Sequence, residues 1–465
     1  MSNKINITVD GKIFSVRAGT LLSDVLDIDK PCGGRGTCGK CKVKVNGKEE
    51  LACKYRVFEN NEVETYERGE ILSVTGADES GKKTDNMCFA LDIGTTTLAL
   101  ALVSLDERKT VKVVTATNPQ RTYGADVISR IGYCAEHSVD ALHRAVITEI
   151  NRMIERFGVS RVDTMYVSGN ATMLHIFLGV DCSSIGVAPY SAVFLDKKTE
   201  SAESLGIIGV KEIVALPSVS SFVGADIVAG IYYAGMPEAV KYNLLIDLGT
   251  NAEVVLYSQG KGVATAAAAG PCFEGANISS GMSATAGAIS QFELDRGRAV
   301  YKTIDDAPPA GICGTGLIDI ISELLRNGII DEAGYMDDDY QISESVYLSC
   351  DDVRQYQLAK SAIYSAIIAL MRRLGVVAAD ISKMYISGGF SAKINIGNAA
   401  FTGLFPRELI SKAVPINNSS LQGTVKYAAY AGDVGKIAQS IEYVDLSLDP
   451  YFADAFIENM TFEVE

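Results

Sequence analysis

The sequence contains no tryptophan and only three histidines in 465 residues. The histidines, His137, His143 and His175, follow no ligand spacing, so a histidine-based metal centre is not expected. Long apolar runs are missing as well, because charged or polar residues interrupt every stretch of about 18 residues, and we expect no membrane-spanning helix. The N-terminus lacks the apolar segment of a secretion signal, which predicts a cytoplasmic protein.

Positive charge is scarce relative to negative charge. The chain has 42 Lys and Arg against 57 Asp and Glu, a net charge of −15. A protein of this sign repels nucleic acid and anionic membranes, so neither is expected as a partner. With 48% hydrophobic residues the chain is long enough for two or three domains with large cores.

Cysteine, in contrast, is concentrated near the N-terminus. Cys32, Cys38 and Cys41 form a C-x5-C-x2-C run, and Cys53 follows. Four thiolates are the ligands of a [2Fe–2S] cluster, and the plant-type spacing is one residue shorter in the first gap. Zinc is the alternative, although structural zinc usually takes two short Cys pairs, and a disulfide scaffold is less expected in a long chain without a secretion signal. The other six cysteines are expected to be buried thiols.

The sequence around this run predicts strands. Residues 4–17 alternate in polarity around Asp10 and Gly11, a dipeptide typical of tight hairpins, and a short helix capped by Thr20 is expected next. Over residues 1–75 the chain resembles the adrenodoxin-like branch of [2Fe–2S] ferredoxins. The resemblance implies an α+β β-grasp fold and the transfer of one electron at a time.

A repeated motif characterises the rest of the chain. An apolar strand followed by Asp-x-Gly-Thr occurs at Asp92 and again, 155 residues later, at Asp247. Such a turn presents backbone N–H groups and a threonine hydroxyl to phosphate oxygens. The aspartate can hold Mg²⁺ through water or orient an attacking water. A third apolar strand, at 383–390, ends in a Ser-Gly-Gly turn on which a nucleoside could lie. The repeat predicts an internally duplicated α/β domain with a nucleotide site.

The candidate site residues fall into three groups. Asp92, Asp247 and Glu253 are the catalytic candidates, although Glu253 could equally be an exposed strand residue. Plain hairpin turns are the alternative for the phosphate motifs, and a helix start without ligand is the alternative for the glycine turn near residue 315. The nucleotide-binding candidates are Gly94, Thr95, Thr96, Gly249, Thr250 and Asn251 for phosphate, Gly388 and Gly389 for adenosine, and Gly314, Thr315 and Gly316 as a further contact.

In this order the three elements resemble the phosphate-1, phosphate-2 and adenosine motifs of the actin, sugar-kinase and DnaK-type ATPase superfamily. The resemblance implies a duplicated RNase H-like fold, with subdomains at 88–240 and 241–465, and ATP with Mg²⁺ as cofactors. The polar residues 76–87 predict a linker before it. Small residues between Gly224 and Ala234 predict a closely packed helix at the subdomain hinge.

An N-terminal [2Fe–2S] ferredoxin joined to such an ATPase resembles the reductive activators of corrinoid proteins, in a short form. The resemblance implies an ATP-hydrolysing reductive activase of an anaerobe, which reduces cob(II)amide to cob(I)amide by one electron on the corrinoid protein of a methyltransferase system. It also implies a low-potential electron donor and a homodimer. Longer members carry an extra middle domain where this chain has only the predicted linker. Further matching segments lie at 118–131, 168–175, 270–282, 311–319 and 398–406.

Three other functions fit the same modules, and one of them is a chaperone-like or scaffold protein in which ATP drives partner binding and the cluster is only structural. The protein could be an ATP-dependent electron injector for another low-potential metalloenzyme, or a small-molecule kinase with a redox-sensing domain. A kinase would phosphorylate an acceptor, whereas an activator would only hydrolyse ATP.

Overall fold

The computed structural model describes residues 4–26, 28, 41–65, 86–389 and 391–462. Predictions that concern Cys32, Cys38 and most of the linker therefore lie outside the described residues. The N-terminal strands are β1 (Lys4–Val9), β2 (Lys12–Arg17), β3 (Thr20–Leu21), β4 (Lys42–Val45), β5 (Lys48–Leu51), β6 (Arg56–Val57) and β7 (Asn61–Thr65).

The N-terminal region forms a five-stranded sheet in the order β2-β1-β7-β4-β5, in which β1 and β7 run parallel. The predicted hairpin is present, because Asp10 and Gly11 both take positive φ angles, 45° and 80°, as a two-residue hairpin turn requires. The prediction of a short helix after Thr20 was wrong about the length of the helix. Thr20 pairs with Val57 in a short ladder, which keeps its backbone extended, and only a single 3₁₀ turn at Leu22–Asp24 follows.

The larger region contains the remaining strands and the α-helices that the structure describes. Its strands are β8 (Met87–Ile93), β9 (Thr97–Ser104), β10 (Lys109–Thr117), β11 (Val162–Gly169), β12 (Lys198–Ser201), β13 (Val210–Ala215), β14 (Tyr242–Leu248), β15 (Ala252–Ser258), β16 (Lys261–Ala267), β17 (Ala288–Asp295), β18 (Arg298–Thr303), β19 (Gly311–Ile312), β20 (Tyr340–Gln341), β21 (Tyr347–Leu348), β22 (Ile381–Gly388), β23 (Ala413–Pro415) and β24 (Ile441–Tyr443). Its helices are α1 (Val127–His137), α2 (Asp140–Glu155), α3 (Ala171–Phe177), α4 (Ala225–Tyr233), α5 (Gly314–Arg326), α6 (Cys350–Leu374), α7 (Ile396–Phe401), α8 (Ser419–Tyr430), α9 (Val434–Gln439) and α10 (Pro450–Glu458).

Two six-stranded sheets that share the order of five strands confirm the predicted duplication. The first has the order β10-β9-β8-β11-β13-β12, and the second has β24-β16-β15-β14-β22-β23. In each, three antiparallel strands (β10-β9-β8 and β16-β15-β14) continue into two parallel strands (β11-β13 and β22-β23). The sixth strand differs, because β12 is antiparallel beside β13 and β24 is parallel beside β16. The central strands of the two sheets are almost wholly buried, as expected for a sheet covered on both faces. The first large apolar core covers the first sheet and also includes Leu245, Val255 and Tyr257 of the second, whereas the second core belongs to the second half alone.

Small residues let α4 and α8 pack closely, as the sequence predicted. A Cβ atom on Gly423 would lie 2.0 Å from the carbonyl oxygen of Ala229, and one on Gly230 would lie 2.7 Å from the Ser419 hydroxyl. The α4 backbone therefore lies directly against that of α8, which belongs to the other half of the repeat. The role of this crossing as a hinge stays a prediction.

Two expectations about composition can be compared with the described part of the chain. None of its helices combines the length and apolarity needed to cross a membrane. The prediction of buried thiols holds for five of the six scattered cysteines and was wrong for Cys350, which is exposed at the start of α6. Burial raises the pKa of Cys88 and of Cys272 to about 12, so these thiols stay protonated.

Candidate functional site

The two Asp-x-Gly-Thr turns lie on opposite sides of one carboxylate. Each turn follows a central strand, β8 in the first half and β14 in the second. The Thr96 hydroxyl and the Thr250 hydroxyl each donate a hydrogen bond of 3.0 Å to Oε2 of Glu274. The structure therefore brings the predicted phosphate-1 and phosphate-2 turns together across one cleft.

The catalytic candidates also occupy equivalent places in the two halves. Asp92 lies beside Ser168 of the neighbouring parallel strand, and Asp247 lies beside Ser387 in the same way. Glu253 is directly opposite Asp247 in the antiparallel ladder, so both side chains lie on the same face of the sheet. The structure thus favours a place in the cleft for Glu253 over an unrelated surface position.

Negative charge is concentrated in this cleft. Burial raises the pKa of Asp247 to about 6, with a further contribution from the charge of Asp92. Burial, Asp226 and Asp247 together raise the pKa of Glu253 well above its ordinary value. Asp226 is affected in the same way: burial and then the charge of Asp247 raise its pKa to about 7. At neutral pH the cleft therefore holds carboxyl groups that are only partly ionised and that attract a cation.

Asp226 was not among the residues predicted from the sequence. It lies in the first turn of α4, where one of its oxygens accepts the N–H of Ile227 at 2.8 Å. A single acidic residue among the small and apolar residues of this segment was the available signal, since such a side chain seldom enters a core without a purpose.

Asp92 connects the two halves. Its carboxylate accepts hydrogen bonds of 2.7 Å from the Asn418 amide and from the Ser420 hydroxyl, both near the start of α8. Burial raises its pKa, and these two bonds oppose the rise. The Ser420 hydroxyl also lies 2.8 Å from that of Ser168, so a polar network crosses the domain behind the first aspartate.

Buried polar side chains fix the phosphate-1 turn from behind. The Asn118 amide donates to the Gly94 carbonyl at 2.8 Å, and the Asn170 amide donates to the Thr95 hydroxyl at 3.2 Å. Arg130, which is fully buried, donates to the Thr95 carbonyl at 2.6 Å. Burial lowers the pKa of Arg130 to about 9, so it is still a cation at neutral pH. The turn is thus held in one conformation before any ligand binds, which favours tight binding.

The adenosine candidates differ from each other. Gly388 has a φ of 112°, and a Cβ on it would lie 2.2 Å from the Leu248 carbonyl oxygen, so β14 and β22 can approach only with glycine here. Gly389 is exposed, and a Cβ on it would meet open space. Only the second glycine therefore offers the surface on which a nucleoside could lie. Asn251 of the second turn is also exposed.

The third glycine turn packs against protein. A Cβ on Gly314 would lie 2.3 Å from the Phe273 carbonyl oxygen, and one on Gly316 would lie 2.1 Å from that of Ile289. The Thr315 hydroxyl donates to the Ser290 carbonyl at 2.9 Å. These contacts favour the structural alternative, a closely packed start of α5, over direct contact with nucleotide.

Two of the four predicted cluster ligands, Cys41 and Cys53, are among the described residues, and both lie in the N-terminal core. Cys41 and Cys53 are 1% and 4% exposed. The N–H of Ala52 donates to the Cys41 carbonyl at 2.9 Å, which brings the backbone of Cys53 next to that of Cys41. The two residues therefore fit the thiolate pair that the sequence predicted, within an apolar environment.

The cleft suits Mg²⁺ through its negative charge and not through a cluster of direct ligands. In the ranges that the structure describes, no three His, Cys, Asp or Glu side chains lie close enough to ligate one metal ion together. The buried carboxyl groups at Asp92, Asp226 and Asp247 supply negative charge without a direct ligand cage. This arrangement suits Mg²⁺, which usually keeps several waters and binds through one or two carboxylates and the substrate phosphates.

Comparisons with known proteins agree with this geometry. A family model described as the C-terminal domain of RACo, the ASKHA domain, matches residues 241–465, and one described as the RACo middle region matches residues 87–239. The corrinoid activation enzyme RamQ of Eubacterium limosum is 26% identical over 580 aligned positions, which cover 97% of each chain. The [Co(II) methylated amine-specific corrinoid protein] reductase of Methanosarcina barkeri is 27% identical over 379 positions, 72% of this chain and 68% of that one. A solved structure of a reductive activator for a corrinoid, iron–sulfur protein superposes with a TM-score of 0.74 at 26% identity over 98% of both chains.

The duplicated sheets, the facing phosphate turns and the C-terminal family model define the class, an ATPase-type ASKHA domain. Because the two RACo models together span nearly all of residues 87–465 and a solved relative superposes along almost the whole chain, the protein belongs to the RACo family. The resemblance to reductive activators of corrinoid proteins is thereby confirmed. The middle-region model coincides with the first half of the repeat.

Proposed function

We propose that this protein is an ATP-dependent reductive activator of a corrinoid protein in a methyl-transfer system. It hydrolyses ATP and delivers one electron to cob(II)amide on the partner, which thereby becomes cob(I)amide. The observation that carries the proposal is the superposition along 98% of the chain with a reductive activator for a corrinoid, iron–sulfur protein. Two curated relatives with corrinoid-activating names support it.

The N-terminal domain would hold the electron. Cys32, Cys38, Cys41 and Cys53 would ligate a [2Fe–2S] cluster, which stores and releases one electron at a time. The order of the five strands and the burial of the two described cysteines support a ferredoxin-like β-grasp domain for this purpose. The apolar surroundings would limit the access of water to the ligands.

The duplicated domain would bind Mg-ATP. The turns at 94–96 and 249–251 would surround the phosphates, and Gly389 would lie behind the adenosine. Asp92 and Asp247 would hold Mg²⁺ through water, with Glu253 and Asp226 as nearby bases. Because burial raises the pKa values of Asp247 and Asp226, arrival of the cation would release protons from this cluster.

The remaining expectations complete the proposal. They are a low-potential electron donor, a homodimer formed through the ATPase domain, a cytoplasmic location and an anaerobic host. ATP carries no redox chemistry, so its hydrolysis would act through the relative motion of the two halves. A shift from 1:99 to 99:1 between two conformations is worth about 5.5 kcal/mol, which is roughly 240 mV for one electron.

The test is a reduction assay under anaerobic conditions. The full-length protein, reconstituted with iron and sulfide, is mixed with a corrinoid protein in the cob(II)amide form, a chemical reductant and Mg-ATP, and the cobalt absorption bands are followed. We expect cob(I)amide to form with Mg-ATP and not with a non-hydrolysable analogue or without nucleotide. Equal reduction in all three conditions would refute the ATP dependence.

Two variants separate the modules. Cys41→Ser should abolish reduction and keep ATP hydrolysis, whereas Asp247→Asn should abolish hydrolysis and keep the cluster absorption. Transfer of the γ-phosphate to a small-molecule acceptor, in place of release as inorganic phosphate, would show a kinase instead.

A further inference from the structure

Glu274 is presented by a rigid segment next to the cleft. It is the last residue of a short 3₁₀ helix, Pro271–Glu274, whose residue Phe273 is only 3% exposed. Gly275 follows with a φ of 78°, and a Cβ on it would lie 2.4 Å from the Met282 carbonyl oxygen. The backbone on both sides of the glutamate is therefore fixed by burial and by a turn that only glycine fits.

One oxygen of this side chain joins the two halves of the domain. Oε2 of Glu274 accepts the hydroxyl of Thr96 from the first half and that of Thr250 from the second, each at 3.0 Å. These two threonines are the hydroxyl donors that the phosphate turns would offer to ATP. A carboxylate oxygen and a phosphate oxygen are both anionic acceptors, so they compete for the same two donors.

The charge around Glu274 adds to this competition. Arg130 lies behind the first turn, and its charge and that of Glu274 attract each other. Glu274 in turn helps to raise the pKa of Glu253 by repulsion. A polyphosphate in the cleft would bring further negative charge against the same carboxylate, and like charges held close together repel.

We propose that Glu274 is a latch that joins the two phosphate turns through Thr96 and Thr250 and that the phosphates of ATP must displace. The inference rests on the proposed function only in assuming that these turns bind the phosphates of ATP. Glu274 thereby lowers the affinity for nucleotide. When ATP binds, the two threonine hydroxyls exchange the carboxylate of Glu274 for phosphate oxygens. The latch keeps the halves together between turnovers.

The test is nucleotide affinity in the full-length protein, measured by titration calorimetry with Mg-ATP and with adenosine. Glu274→Gln keeps an acceptor for both hydroxyls and removes the charge, and Glu274→Ala removes both. We expect each variant to bind ATP about tenfold more tightly than the wild type, because about 1.4 kcal/mol of repulsion is relieved. Adenosine, which has no phosphate, should bind all three proteins equally.

The matched control is Glu293→Gln, the same chemical change at an exposed position of β17 in the same half. It should leave the affinity for ATP unchanged. A structural role for Glu274 would weaken ATP binding in the Gln and Ala variants, so unchanged or weaker binding overturns the latch. If the wild type itself does not bind ATP, the proposed function is refuted. This outcome differs from unchanged or weaker binding in the variants, which refutes only the latch.

Hydrogen exchange gives a second readout that needs no bound nucleotide. If Glu274 joins the turns, Glu274→Ala should speed amide exchange at 94–97 and 249–251 relative to the wild type, and the Glu293→Gln control should not. Equal exchange in the variant and the wild type would contradict the latch.

Discussion

Replacing Asp226 by asparagine should stabilise the protein at alkaline pH and weaken its response to Mg²⁺. The side chain lies in the first turn of α4, where one oxygen accepts the N–H of Ile227. Asparagine has nearly the same shape and keeps an oxygen for this bond. It removes only the charge that burial and Asp247 oppose.

The magnitude follows from the pKa. Burial and neighbouring carboxylates raise the pKa of Asp226 from 3.8 to about 7. In the folded protein this group therefore binds its proton more tightly than in the unfolded chain, and the free energy of unfolding falls as the pH rises from about 4 to 7. At about 1.4 kcal/mol per pH unit, the folded protein is destabilised by roughly 4 kcal/mol at pH 8, and more than half of this loss develops between pH 5 and pH 8. Asparagine carries no charge, so the Asp226→Asn variant avoids this loss of stability.

The assay is urea unfolding without nucleotide at pH 5 and pH 8. The wild type should lose stability between these values, and the Asp226→Asn variant should lose less, with the larger gain at pH 8. The control is Asp433→Asn, which removes one negative charge from an exposed helix N-cap, where asparagine caps equally well. A gain at pH 8 no larger for Asp226→Asn than for this control would refute the reasoning. In the ATPase assay, Asp226→Asn should need about tenfold more Mg²⁺, because part of the charge that attracts the cation is lost.

Three further changes address other parts of the molecule. Cys41→Ser should remove the visible absorption of the iron–sulfur cluster, measured by anaerobic spectroscopy, while Cys350→Ser at an exposed site should keep it. Arg130→Met should lower the free energy of unfolding by about 3 kcal/mol and raise the KM for ATP, because buried acceptors behind the phosphate-1 turn lose their donor. Urea unfolding would measure the first effect and steady-state kinetics the second. Gly388→Ala should destabilise the protein by about 3 kcal/mol in urea, since its Cβ would collide with β14, whereas Gly389→Ala should fold normally and bind ATP more weakly in calorimetry.

The duplicated architecture could be predicted because its signals are local and repeated. Asp92 and Asp247 each end an apolar strand before a glycine–threonine turn, and both turns lie where this pattern puts them. Glu253 could be assigned to the cleft only from the strand register opposite Asp247, since alternation along β15 does not show which of its faces meets the site.

The contacts between distant segments could not be predicted. Asp92 meets Asn418, which is 326 residues further along the chain, and no local pattern links the two. The glycines at 314 and 316 look like a phosphate-binding turn, yet their missing side chains make room for the backbone of Phe273 and Ile289. The sequence shows that a position must be small; only the tertiary structure shows which neighbour requires it.

The order of five strands that the two sheets share has a consequence for the history of the molecule. Neither half contains a complete site, because each contributes one aspartate and one threonine turn to a shared cleft. A gene that encoded a single half would have had to work as a pair of identical chains, related by a twofold axis through the cleft. Fusion of two such genes would then have allowed each copy to diverge, so that a single carboxylate, Glu274 of the second half, could come to serve both turns.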